Sequence, residues 1–350
     1  MVRIQKLFLV NLMALGSLGL LLTSCGTSVD STTSSPESAS ELATSSISGA
    51  ISSADSSGGS LAYEPNASKW EGFFNSLLSL TEKNAWAITA CQQPKDNLGS
   101  CSAGVITVNY GTGCNFLKSD GSAYPATWTG SLTAAFSSAG TAYCPSASSF
   151  PLASSGTGST FPISITRTMT NVTKTNGTLK VTVDTSVASG WDTSITPQKV
   201  GGTVITVNSA TAHSITINGI HYSAAKTFTN KKGETKTGTV WDHTVSTNGA
   251  ITTTKSGNVT SSSGTMVLQH NLAKYTATAT IASTAAVTHD RTTCGCLPTG
   301  GTIQTTFTGS RTDFEILTIT GCGTATLQTG ANQAAAQAAT ATALTLTHCQ

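Results

Sequence analysis

Charge is scarce in this chain: Asp, Glu, Lys and Arg make up 10% of its residues, and aromatic rings another 6%. Without residues 1–24, which hold Arg3 and Lys6 and no acid, the basic count falls from 18 to 16 and equals the 16 acids. A neutral body with no Lys/Arg block interleaved with aromatics lacks the means to neutralise phosphates, which excludes nucleic acid as a partner. It also offers no evident electrostatic hold on anionic lipid. No Gly-x-Ser-x-Gly elbow, His-Glu-x-x-His, phosphate-cradling Gly-rich loop with Lys-Ser/Thr, or EF-hand loop occurs, so the common hydrolases, metalloproteases, kinases and calcium sensors lose their local signatures. No cofactor is implied.

One apolar run stands out, Leu7 to Leu22, broken only by Asn11 and Ser17 and preceded by Arg3 and Lys6. A membrane-spanning helix needs about 20 apolar residues, and the Ser/Thr-rich sequence from Thr23 ends this run sooner. The layout is that of an export signal. The run closes on Leu22-Thr23-Ser24-Cys25, which resembles the lipobox of bacterial lipoproteins: an aliphatic residue and two small ones before the cysteine that is acylated. The resemblance implies cleavage before Cys25, a diacylglyceryl group on its thiol, and palmitate-type anchoring in a membrane. Gly26 follows where Asp is the inner-membrane retention signal of Gram-negative lipoproteins, so the expected address is the outer membrane, facing the periplasm or the cell surface.

Residues 26–60 are mainly Ser and Thr with Ala and Gly, too poor in large apolar groups to offset the entropy of ordering. They read as a flexible tether reaching about 30 Å. The expected organisation is a signal peptide over 1–24, lipidated Cys25 and tether over 25–60, and one body over 61–350, as one β domain or two coupled β units.

That body opens with Trp70, Phe73, Phe74, Leu77 and Leu78 at three-and-four spacing, which predicts one short amphipathic helix over Ser68–Ser79. From Val105 the period becomes two. Between Lys274 and His289, Tyr275, Ala277, Ala279, Ile281, Ala285 and Val287 share one parity and threonines the other, as in a half-buried antiparallel strand. Asn176-Gly177, Asn218-Gly219 and Asn248-Gly249 sit between such runs and predict type I′ hairpins. The fold class is therefore mainly β: an antiparallel hairpin meander forming a β-sandwich or an elongated curved sheet. At the C-terminus Ala331–Ala339 predicts a short helix or ordered loop, and Ala343–Cys349 a closing strand.

Beyond Cys25 there are eight cysteines, an even number that in an exported chain reads as disulfides. Cys91, Cys101, Cys114 and Cys144 lie before residue 150, and Cys294, Cys296, Cys322 and Cys349 after residue 290, so pairing within each group is expected. Cys294-Gly295-Cys296 has one spacer where zinc knuckles use two to four, which argues against metal. Tyr110-Gly111-Thr112-Gly113-Cys114 and Thr320-Gly321-Cys322-Gly323-Thr324 suggest two equivalent hairpins flanking the meander.

Chemistry-bearing residues are thin. Asp242-His243, His289-Asp290 and His270 fall in or beside predicted strands, where adjacent residues face opposite ways and form no dyad by themselves. Cross-strand pairing that gathers His243, His270 and His289 on one face is the only candidate for a metal site or an acid–base cluster. Trp128, Trp191 and Trp241 with Tyr222 are candidates for a sugar-stacking platform, against the alternative that they anchor the core. The expected function is a lipid-anchored envelope protein with a structural, adhesive or ligand-binding role toward a glycan or a protein. A tethered hydrolase or glycan-active enzyme using those histidines, and a carrier of lipid or another apolar ligand, are the alternatives.

Overall fold

In the computed structural model the described residues are 91, 99–117, 121–145, 161–188, 190–192, 200–209, 211–230, 232–294 and 297–345, with the side chains of Val240, Trp241 and Arg291 left aside. The export signal, Cys25, the tether, the helix expected over Ser68–Ser79, Cys296 and Cys349 lie outside them.

The fold is mainly β, one antiparallel sheet of sixteen strands in which chain order is nearly spatial order. The first strands are β1 (Val105–Leu117), β2 (Ala123–Ser138), the short β3 (Thr141–Ala142) beside β2, and β4 (Ile163–Asn176). From there uninterrupted strands alternate with strands broken in two. β5 (Leu179–Asp184) and β6 (Gly202–Ser209) lie end to end along β7 (Ala212–Thr229). β8 (Thr235–Thr247) and β9 (Ile251–Ser256) do the same between β7 and β10 (Val259–His270). β11 (Tyr275–Ile281) and β12 (Val287–Asp290) repeat the arrangement between β10 and β13 (Pro298–Gly309). The sheet ends on β14 (Phe314–Gly321), β15 (Thr324–Gly330) and β16 (Thr342–Thr345).

One face carries the core. Val183, Ile205, Ile215, Ile217, Ile220, Val245, Ile251, Met266, Leu268, Ala277, Ala279, Ile281, Val287, Ile303, Phe307, Leu317, Ile319 and Ala325 form one continuous buried cluster. The opposite face is a lattice of hydroxyls. Ser137, Ser164, Thr206, Ser214, Thr252 and Ser263 stand on one register line across six strands. Threonine suits both demands, since its β-branch favours the pleat and its hydroxyl pairs across strands.

Turn chemistry departs from expectation at two of the three Asn-Gly pairs. Asn176-Gly177 does turn the β4–β5 hairpin, with Gly177 at φ 57°. Asn218-Gly219 lies inside β7 as a bulge, where burial passes from His213, Ile215 and Ile217 to Ile220 and Ala224. Bulges need the same positive-φ residue that a tight turn needs, which is why the two look alike in sequence. Asn248-Gly249 marks the break between β8 and β9, which pair with common neighbours rather than with each other. The run from Lys274 to His289 is likewise broken, with Ala285 in the 3-10 turn Ser283–Ala285.

Cys91 pairs with Cys114, Cys101 with Cys144 and Cys294 with Cys322, each within its own group. The two Gly-Cys segments are not equivalent: Cys114 is buried within β1, while Cys322 is exposed in the β14–β15 turn. At the C-terminus Gln333–Ala338 is helical, capped by Asn332, whose side chain accepts from the Ala335 N–H at 3.0 Å. Buried Ala336 seats it against Gly330, where an added Cβ would come 2.3 Å from the Ala336 nitrogen.

Candidate functional site

Three of the side chains named from sequence as candidates, Tyr222, His243 and His270, meet at one end of the sheet. There β7, β8, β10 and β11 align Tyr222 with His243, His243 with His270, and His270 with Tyr275. These four share the core face. The imidazoles of His243 and His270 meet edge to face with centroids 4.3 Å apart, and His270 and Tyr275 are 5.0 Å apart. Tyr275 continues to Phe307 at 6.0 Å, and the Arg311 guanidinium lies 3.6 Å above the Phe307 ring. Asp313 and the buried Glu315 pin that guanidinium. Burial lowers the Arg311 pKa, but these carboxylates outweigh it and raise it.

The imidazoles here are neutral. Burial, reinforced by the adjacent His270, pushes the His243 pKa down to about 2, and burial also lowers that of His270. His270 Nδ1 accepts from the Ala273 N–H at 3.1 Å, which closes the β10–β11 turn and leaves its proton on Nε2. Tyr222 is held protonated, its phenol pushed up by burial.

Asp242 points through the other face, as the strand period requires. Its carboxylate lies 2.8 Å from His221 Nε2 and accepts from Asn271 Nδ2 at 2.6 Å. Asn271 also donates to Thr244 Oγ1, at 3.1 Å. The connection between β5 and β6 returns over this face: the Trp191 N–H donates to Asn271 Oδ1 at 3.0 Å and its indole N–H to the Tyr275 carbonyl at 3.1 Å. Gln269 pairs with the backbone of Asp192. This strap explains why Val267 and Gln269 of β10 are buried on the face that elsewhere meets solvent.

As the strand period predicts, Asp242 and His243 form no dyad, and their partners are His221 and His270 respectively. His221 and Asn271 were missed, and only the register could have found them, since pairing of His221 with Thr244 sets the ring diagonal to Asp242. His289 is not part of the group. It pairs with Thr260, ten residues along β10 from His270, roughly 30 Å away at about 3.3 Å per residue. Asp290 binds Thr292 and Thr293 at the start of the turn Arg291–Cys294, and these hydrogen bonds lower its pKa to about 2. Among the described residues no group of three or more His, Cys, Asp and Glu is placed to hold a metal ion.

Of the expected aromatic platform, the Trp241 side chain lies outside what is described, and the other three members are dispersed. Trp128 packs edge-on to Phe116 at 5.4 Å with Lys174 above it, Trp191 fastens the strap, and Tyr222 joins the imidazoles.

What these features define is a class by architecture: a single-sheet, disulfide-bonded, all-β protein. No protein-family model, curated protein or solved structure matches the chain. Among the described residues no helix is long and apolar enough to cross a membrane.

Proposed function

We propose that the chain is a lipid-anchored envelope protein that binds or displays rather than catalyses, with its acyl anchor on Cys25 and its binding end at the Tyr222–His243–His270–Tyr275 row. The observation that carries this reading is the separation of the polar groups by the sheet. His221 and Asp242 stand on one face, while His243 and His270 stand on the other as neutral rings. Acid–base work needs a base and its orienting acid aligned toward one reacting atom. Tyr222, His270 and Tyr275 of this row are only partly buried, and their rings suit stacking on an uncharged, flat-faced ligand such as a glycan, while His243 and Phe307 lie buried behind them. The carrier alternative gains less support, because branched aliphatic side chains and Phe307 fill the core face.

Two measurements test the halves separately. Mass spectrometry of the mature N-terminus is expected to find diacylglycerol on Cys25, and Cys25→Ala to abolish it; an unmodified wild-type thiol would refute the anchor. Glycan-array binding is expected to fall at least about tenfold in Tyr275→Ala, and an array without any ligand would leave the body as a display scaffold.

A further inference from the structure

Formal neutrality of the body conceals an uneven distribution of charge. The described residues of the two hairpin tips at the ring-bearing end, within 174–180 and 226–238, hold Lys174, Lys180, Lys226, Lys232 and Lys236 against one acid, Glu234. Register brings the tips together: Leu179 of β5 pairs with Lys226 of β7, and the Thr227 N–H donates to the Thr178 carbonyl at 2.8 Å. The β7–β8 hairpin projects past the β4–β5 turn and is closed by Asn230, whose side chain accepts from the N–H groups of Lys232 and Glu234 at 2.9 and 3.0 Å. Glu234 faces Lys236 at 3.4 Å and Asn230, so it offsets one of these cations. On the projecting part Phe228 is 44% exposed, lies over Gly238 and pairs with Lys236. Among the described residues Phe161 is exposed to a similar degree, but Phe228 is the exposed ring that stands on a lysine-bearing hairpin.

We infer that these paired hairpin tips form a cationic tongue that seats on an anionic phospholipid surface, with Phe228 entering the headgroup layer. The inference extends the lipid-anchored reading, on which it rests for bringing the body to a membrane. Several lysines supply attraction to anionic headgroups, each about fivefold in partitioning. An apolar ring flanked by cations fits the interface better than it fits water or a soluble polyanion. The stretch between Cys25 and Cys91 is long enough for the body to fold back onto the membrane that holds it, its Ser/Thr-rich part alone reaching about 30 Å.

The test is flotation of the full chain carrying Cys25→Ala with vesicles of phosphatidylcholine alone or mixed with phosphatidylglycerol. Any apolar N-terminal segment partitions into both, so the difference between the vesicles is the readout, and it does not depend on acylation. The chain is expected to prefer the anionic vesicles and to lose the preference as salt shortens the screening length from about 8 Å to about 3 Å. Lys226→Glu with Lys236→Glu is expected to cost at least twentyfold by the same scale (~fivefold per lysine). Phe228→Ser is expected to weaken binding while leaving the salt dependence intact. Lys255→Glu, at the opposite end of β7 beside Ala212 and Thr211, serves as the control and is expected to change nothing. Unchanged circular dichroism shows that each variant is folded. Equal partitioning into both vesicles, an equal loss in Lys255→Glu, or binding to a soluble polyanion that is indifferent to Phe228 would each overturn the inference.

Discussion

His243 is 1% exposed, and a buried imidazole avoids the desolvation cost of charge by staying neutral. Its folded pKa of about 2 lies below the ordinary value of 6.5, so the unfolded chain binds the extra proton. Stability is then fully present above about pH 6.5 and declines as pH falls through the interval down to the folded pKa, at a slope approaching ~1.4 kcal/mol per pH unit. Urea midpoints between about pH 7 and 4 are expected to show this decline, and His243→Leu to flatten it. A parent protein with a pH-independent midpoint would show that His243 is solvated and charged. The sequence named His243 and His270 as cross-strand candidates, but that they share the core face, and that His289 stands apart from them, came only from register. Asp242 is a similar case. Its charge was legible, but the His221 and Asn271 groups that hold it come from two other strands, and no local pattern encodes that convergence.

The strands themselves were largely legible, because β-branched alternation is a local property of each segment. The breaks within them were not. Gly264 in β10 and Gly301 in β13 face the interruptions beside them. A Cβ on Gly264, which has φ 143°, would lie 2.8 Å from Ile251 Cα and 2.9 Å from the Ala250 carbonyl. On Gly301 it would lie 2.5 Å from the Ala286 carbonyl. Each glycine thus lets a broken strand press its backbone against an unbroken one, a contact between segments distant in sequence. Gly264→Val is expected to destabilise by roughly 2 kcal/mol or more, from strained φ and steric overlap together. Gly257→Asn, in the β9–β10 turn at φ 60° with open space around its Cβ position, is expected to stay within about 0.5 kcal/mol. Chemical denaturation of the pair measures both. Equal losses would mean that the breaks tolerate bulk and do not set the packing.

Across the whole molecule, a meander in which most strands touch only their neighbours distributes stability as a chain of adjacent interfaces, and its terminal strands have a partner on one side alone. The described disulfides are placed at those ends. Cys91–Cys114 ties the outer edge of β1, where the Cys91 N–H also donates to the Asn115 carbonyl at 3.1 Å, and Cys101–Cys144 closes the segment around β1 and β2. Cys294–Cys322 joins the turn after β12 to the β14–β15 turn across 28 residues. Closing a loop of that size stabilises by about 3–4 kcal/mol in the chain-entropy model. The middle strands β7 to β11 carry no described disulfide and rely on the continuous aliphatic cluster. Reduction should therefore act from the ends inward. Hydrogen exchange after mild reduction is expected to lose protection first in β1, β2 and β14 to β16, with β7 and β10 retaining theirs until global unfolding. Simultaneous loss along the whole sheet would instead mark a single cooperative unit, in which the staples secure the core as much as the edges.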